Sequence, residues 1–146
     1  MSVEVWNGQG LVLADTSAWI VAGRLPAARE LFLGAIERAD VAWCWPVRYE
    51  LMVDARGSDG IAALDRTLEG LREIAIDRAV QRGVLSAMRE FAGAGSHGAH
   101  RLPLADLTVA VAAQQTGLTV LHHDRHFVRL ADLLGIHASW IAEPTD

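Results

Sequence analysis

The chain has 146 residues, 51% hydrophobic and 21% charged, which fits one domain spanning residues 1–146 and excludes wholesale disorder. No apolar run approaches the roughly 20 residues of a membrane span, Met1–Gly10 has no basic segment of a secretory signal, and the single cysteine, Cys44, excludes an intrachain disulfide and a cysteine-based zinc cluster. All 13 basic residues are arginine, so P-loop, Schiff-base and Ser–Lys chemistries are excluded. The net charge of −5 argues against a protein that coats nucleic-acid phosphates with its own cations. It leaves open a nuclease whose positive charge comes from metal ions. The composition points to a soluble, cytoplasmic protein without membrane contact.

In chain order, Leu11–Ala14 reads as a buried strand running into Asp15-Thr16-Ser17. A helical stretch starts at Ala18–Val21, and Pro26 opens another over Ala27–Ala39. Val41–Trp45 is a second strand closed by Pro46, and Val47–Ala55 a short helix containing Tyr49 and Glu50. Asp59 is expected to cap the helix that carries Ile61, Leu64, Leu68 and Leu71. Glu73–Ile76 is a weak third strand, and Asp77 caps a helix running through Phe91. Gly93–Gly98, with three glycines in six residues, is a flexible loop. Leu104–Gln115 is an apolar helix containing Asp106 and stopped by Gly117. Thr119–Leu121 is a fourth strand leading into His122-His123-Asp124. Phe127–Leu134 is a helix ended by Gly135, and His137–Ile141 a final short strand.

Strands alternating with helices predict an α/β fold whose short sheet is covered on both faces. Ligands of such sheets bind beyond the carboxyl ends of the strands, where strand order reverses. Two strands lead to aspartates there, Asp15 and Asp124. Asp106 and Glu50 are also acids in apolar company, which is costly without a partner. Each has a plainer reading: Asp15 or Asp106 as a helix cap, Glu50 as an exposed helix residue, Asp124 as a turn residue. Four carboxylates in one cleft repel by about 3 kcal/mol per pair at about 5 Å and an effective dielectric near 20. They call for protonation or for a cation. All-oxygen ligands suit Mg²⁺ or Mn²⁺, ions that serve phosphodiester hydrolysis. The histidines His97, His100, His122, His123 and His126 lack zinc-motif spacing, and no Gly-x-Ser-x-Gly elbow supports a serine triad.

The run Leu13-Ala14-Asp15-Thr16-Ser17-Ala18-Trp19 resembles the opening motif of PIN-domain ribonucleases, in particular VapC-type toxins of VapBC toxin–antitoxin systems. Tyr49-Glu50-Leu51, the stretch from His100 to Ala110 around Asp106, and the stretch from Val120 to Phe127 around Asp124 resemble the family's second, third and fourth motifs, in order. The resemblance implies a three-layer α/β/α domain with a mainly parallel sheet and metal-dependent endoribonuclease activity. Asp15, Glu50, Asp106 and Asp124 would hold Mg²⁺ or Mn²⁺, and Ser17, with Thr16, would bond a metal-bound water or a ligating carboxylate. It also implies an RNA substrate such as tRNA or rRNA, a homodimer, and a VapB-like antitoxin whose C-terminal segment places an arginine in the acidic cleft. The competing expectation is a degenerate PIN domain that binds RNA or a partner without cutting. One departure motivates it: many relatives carry another aspartate where this chain has His126. Imidazole suits Mn²⁺ better than Mg²⁺, so a Mn²⁺ preference is expected. Arg101, Arg125 and Arg24 are candidate phosphate contacts. The five tryptophans are expected mostly in the core, any exposed one serving a partner.

Overall fold

A computed structural model describes residues 3–93, 95 and 98–145; part of the expected Gly93–Gly98 loop, including His97, lies outside them. Five strands form one sheet in the order β3-β2-β1-β4-β5: β1 Val12–Ala14, β2 Val41–Cys44, β3 Arg72–Ile74, β4 Thr119–His122 and β5 Ala138–Trp140. Every neighbouring pair runs parallel. Seven α-helices are described: α1 Thr16–Arg24, α2 Pro26–Glu37, α3 Trp45–Asp54, α4 Gly57–Glu69, α5 Arg78–Gly93, α6 Leu104–Thr116 and α7 His126–Leu134. The backbone of Trp6 donates to the Trp140 carbonyl and Trp140 to that of Glu4, so the N-terminal segment lies along the outer edge of β5.

Side chains of a strand alternate between faces, and the two cores follow that alternation. Val12, Ala14, Val41, Trp43 and Leu121 pack with Ala18 and Ala22 of α1, Phe32 of α2 and Leu68 of α4. Leu13, Ala42, Cys44 and Val120 face the other way, onto Val47 of α3, Val84 of α5, Val109 of α6 and Phe127 of α7. The architecture is therefore the expected three-layer α/β/α sandwich. Helix α6 is buried from Asp106 to Ala113, which explains why its sequence is apolar all round. It lies tightly on α5: a β-carbon added at Gly83 would meet Val111 Cγ1 at 2.6 Å.

Three boundary expectations are corrected. Trp45 is the first residue of α3, with Pro46 in its opening turn, so the apolar run Val41–Trp45 is strand only to Cys44. The third strand ends at Ile74, not Ile76, because Cys44↔Ile74 is the last pair that β2 offers. Asp59 does not cap α4: the helix begins at Gly57 behind Arg56 and makes no side-chain cap bond. Asp59 sits instead within the first turn, where its charge meets the positive end of the helix. Asp77 does cap as expected, its Oδ1 accepting from Val80 N–H at 3.0 Å.

Candidate functional site

Strand β1 leads to β2 on one side and neighbours β4 on the other, so strand order reverses between β1 and β4. Asp15 immediately follows β1, and its N–H donates to the Leu121 carbonyl of β4 at 2.9 Å. Asp124 follows β4 by two residues. The two expected aspartates thus stand at the carboxyl ends of the two strands that bound the crevice.

Asp15 is both an N-cap and a candidate ligand. Its Oδ2 accepts from Ser17 N–H at 3.0 Å and from Ser17 Oγ–H at 2.6 Å. Ser17 Oγ accepts in turn from His123 N–H at 2.8 Å. One hydroxyl therefore ties the turn after β1 to the turn after β4. Thr16 Oγ1 donates to Glu50 Oε1 at 2.8 Å, fixing α3 against the start of α1. Glu50 is half-buried, whereas Asp15 and Asp106 are only 3% and 9% exposed.

Burial pushes the Asp15 carboxyl up to about 6; the Ser17 bonds oppose that, and the nearby charges of Asp106 and Glu50 add to it. Burial also raises Asp106, opposed by its bond to His126 and reinforced by Asp124 and Glu50. The four acids thus share one electrostatic neighbourhood.

Around Asp106 the groups crowd further. His126 Nδ1 lies 2.6 Å from Asp106 Oδ2 and 3.4 Å from Asp124 Oδ1, while His126 N–H donates to Asp124 Oδ1 at 3.0 Å. Among the described residues, Asp106, Asp124 and His126 alone form a group of three whose ligand atoms all lie within 4.8 Å of one another. Asp15 and Glu50 face this group electrostatically without belonging to it. Asp106 sits in the first turn of α6 but makes no capping bond, the N-cap being Pro103. Its plain reading as a cap is thereby overturned.

His126, singled out in the sequence as a departure from the family's acid, brings its ring into the acidic group. His122 plays a different part. It is buried against Phe127 and Trp140, and its Nδ1 accepts from Asp124 N–H at 3.1 Å. Burial pulls its pKa down to about 4, so a neutral ring shapes the turn that presents Asp124. The doublet His122-His123 was visible in the sequence, but that acceptor role was not.

The candidate arginines are all exposed. Arg125 follows Asp124 directly, and Arg101 lies in a short 3₁₀ turn, Ala99–Arg101, ahead of α6. Arg24 ends α1, about 13 Å along the helix from Asp15 at its start. Trp6, Trp43 and Trp140 are buried and Trp19 is half-buried, as core residues should be. Trp45 is 61% exposed and stacked on Tyr49, with ring centroids 5.7 Å apart and planes at 13°. This pair borders a groove of about 350 Å³ shared with Trp43, Arg48, Met52 and Glu73.

A parallel α/β/α sandwich with acids from four separate segments at its switch point is the layout of a PIN domain. The PIN domain family model matches residues 12–133, and the chain belongs to this family. It is similar to Ribonuclease VapC18 of Mycobacterium tuberculosis, at 35% identity over 129 residues that cover 87% of this chain and 92% of the relative. VapC ribonuclease Mb1587 of Mycobacterium bovis is 25% identical over 133 residues, covering 88% and 98%. The fold is shared with a chain of the DNA-bound VapBC structure from Salmonella typhimurium, with a TM-score of 0.71 at 20% identity, covering 92% of this chain and 100% of that one. It is also shared with a chain of VapBC-1 from nontypeable Haemophilus influenzae, with a TM-score of 0.67 at 16% identity, covering 91% and 99%. No helix among the described residues is long and apolar enough to cross a membrane.

Proposed function

We propose that this chain is a metal-dependent endoribonuclease toxin that hydrolyses RNA phosphodiester bonds and is neutralised by a VapB-like antitoxin. The observation that carries the reading is the gathering of Asp106, Asp124 and His126 ligand atoms within 4.8 Å of one another, at the switch point where Asp15 ends β1, in a chain related to VapC ribonucleases.

The residues fit a divalent cation. Burial and neighbouring acids hold two carboxyls above their ordinary range, a state that a nearby dication reverses. Asp106 and Asp124 would hold Mg²⁺ or Mn²⁺, with Asp15 and Glu50 facing them. When bound, such an ion polarises a phosphoryl oxygen and lowers the pKa of water. The protein's own part is positioning. Ser17 orients the Asp15 carboxylate, Thr16 orients Glu50, and His122 shapes the turn before Asp124. Arg125, Arg101 and Arg24, all exposed, are the candidates to take flanking phosphates with their guanidinium forks. The exposed Trp45–Tyr49 pair, with Val53 one turn on, is the apolar face offered to a protein partner, antitoxin or second copy.

Induced expression in a bacterial host tests the reading. The wild-type chain is expected to arrest growth with loss of intact RNA, and the Asp15→Asn/Asp106→Asn double variant to leave growth normal. Equal arrest by both would contradict it. One observation favours the second reading, a PIN domain that binds without cutting: His126 Nδ1 already occupies Asp106 Oδ2. In that case neither chain arrests growth.

A further inference from the structure

We infer that His126 is itself a metal ligand, its Nδ1 joining carboxylate oxygens of Asp106 and Asp124 in one mixed nitrogen–oxygen site that selects Mn²⁺ over Mg²⁺. The inference rests on the cation-dependent reading above and adds to it a ligand and an ion preference.

Three observations place the ring. Its Nδ1 is 2.6 Å from Asp106 Oδ2 and 3.4 Å from Asp124 Oδ1. Adjacent ligand atoms around an octahedral ion with bonds of about 2.1 Å stand about 3 Å apart; the 2.6 Å hydrogen-bonded contact and the 3.4 Å separation lie on either side of that spacing. The backbone holds the ring there, because His126 N–H is bonded to Asp124 Oδ1 at the start of α7, a helix packed beside α6 and Asp106. The ring is also half-exposed, at 44% of its side-chain surface, while the Asp106 side chain is only 12% exposed. The site is thus closed on the protein side and open on the other, as a site that must admit a phosphate requires.

The other histidines of this turn are otherwise engaged. His122 Nδ1 accepts from Asp124 N–H, and His123 Nε2 lies 3.3 Å from the Glu143 carbonyl oxygen. His126 is therefore the histidine here whose ring nitrogen faces two carboxylates. Mg²⁺ favours an all-oxygen shell and parts reluctantly with its water, whereas imidazole is an accepted ligand of the later first-row ions. One nitrogen at this position shifts the balance toward Mn²⁺ without removing the carboxylates that bind either ion.

The test uses RNA-free protein stripped of metal: the wild type, His126→Asp and His126→Asn, each checked for fold by circular dichroism. Mn²⁺ and Mg²⁺ affinities are measured by calorimetry, and the Mn²⁺ complex by pulsed electron paramagnetic resonance. The wild type is expected to bind Mn²⁺ on the order of tenfold or more tighter than Mg²⁺ and to show coupling of Mn²⁺ to a directly bound imidazole nitrogen. Both variants should lose that coupling, and His126→Asp should narrow the affinity ratio. Should Asp at this position unfold the chain, His126→Asn carries the comparison. Mn²⁺ bound without nitrogen coupling in the wild type, or with coupling that survives both substitutions, overturns His126 as a ligand and leaves the cation site standing. Absence of any Mn²⁺ binding overturns this inference together with the metal-dependent reading beneath it.

Discussion

Asp15 carries the sharpest consequence at the scale of a single residue. Its carboxyl, ordinarily near 3.8, is held at about 6 mainly by burial, so the folded chain binds that proton more tightly than the unfolded chain does. The stability from this group is fully present below pH 3.8, falls as pH rises from 3.8 to 6, and is gone above. The amount is about 3 kcal/mol in metal-free protein. Asp15→Asn keeps a capping oxygen while removing the buried charge. It is therefore expected to melt higher than the metal-free wild type at pH 7.5, with the gap shrinking toward pH 4, although RNA cleavage is lost. Thermal melts at the two pH values check this, and an Asn variant less stable at pH 7.5 would contradict it. Ser17→Ala removes the hydroxyl shared by Asp15 and His123. It should cost about 1–2 kcal/mol and lower cleavage at least tenfold, as read by denaturant unfolding and by initial rates. Asp15 and Asp124 were legible in the sequence because each ends an apolar strand run. The close approach of His126 to Asp106 was not, because it depends on the docking of α7 on α6, which brings together residues 20 apart in the chain.

At the scale of the elements, the contact between α5 and α6 sets where Asp106 stands. Gly83→Ala would drive a methyl into Val111 and is expected to destabilise the fold by about 1–3 kcal/mol; an unchanged melting temperature would show that the two helices separate freely. Helix α3 presents Trp45 and Tyr49 outward, and Ala at both positions is expected to weaken capture of a co-expressed antitoxin while leaving RNA cleavage by the free chain intact. Undiminished capture would place the partner elsewhere. Most elements could be read from apolar periodicity, since burial in two cores imposes it. Their ends could not. An apolar run such as Val41–Trp45 does not record that Trp45 turns outward into a helix. Nor does Glu73–Ile76 record that its partner strand stops at Cys44.

For the whole molecule, the parallel order β3-β2-β1-β4-β5 gathers acids from four segments more than 100 residues apart at the extremes. The order of the four motifs made that convergence legible, although no single motif would have done so. On the proposed reading, an acidic chain with no lysine would hold RNA through a few arginines and bound cations, so its RNA affinity should fall less steeply with salt than that of a basic binder. The central claim is metal-dependent RNA hydrolysis at the shared acids. The most direct measurement is cleavage of total RNA by purified, antitoxin-free protein in Mn²⁺, Mg²⁺ or EDTA, beside the Asp15→Asn/Asp106→Asn variant. Discrete fragments with either ion, most abundant with Mn²⁺ and absent with EDTA and in the variant, are the predicted result. Intact RNA in every ion from folded wild-type protein, or fragments that persist in EDTA, would contradict it.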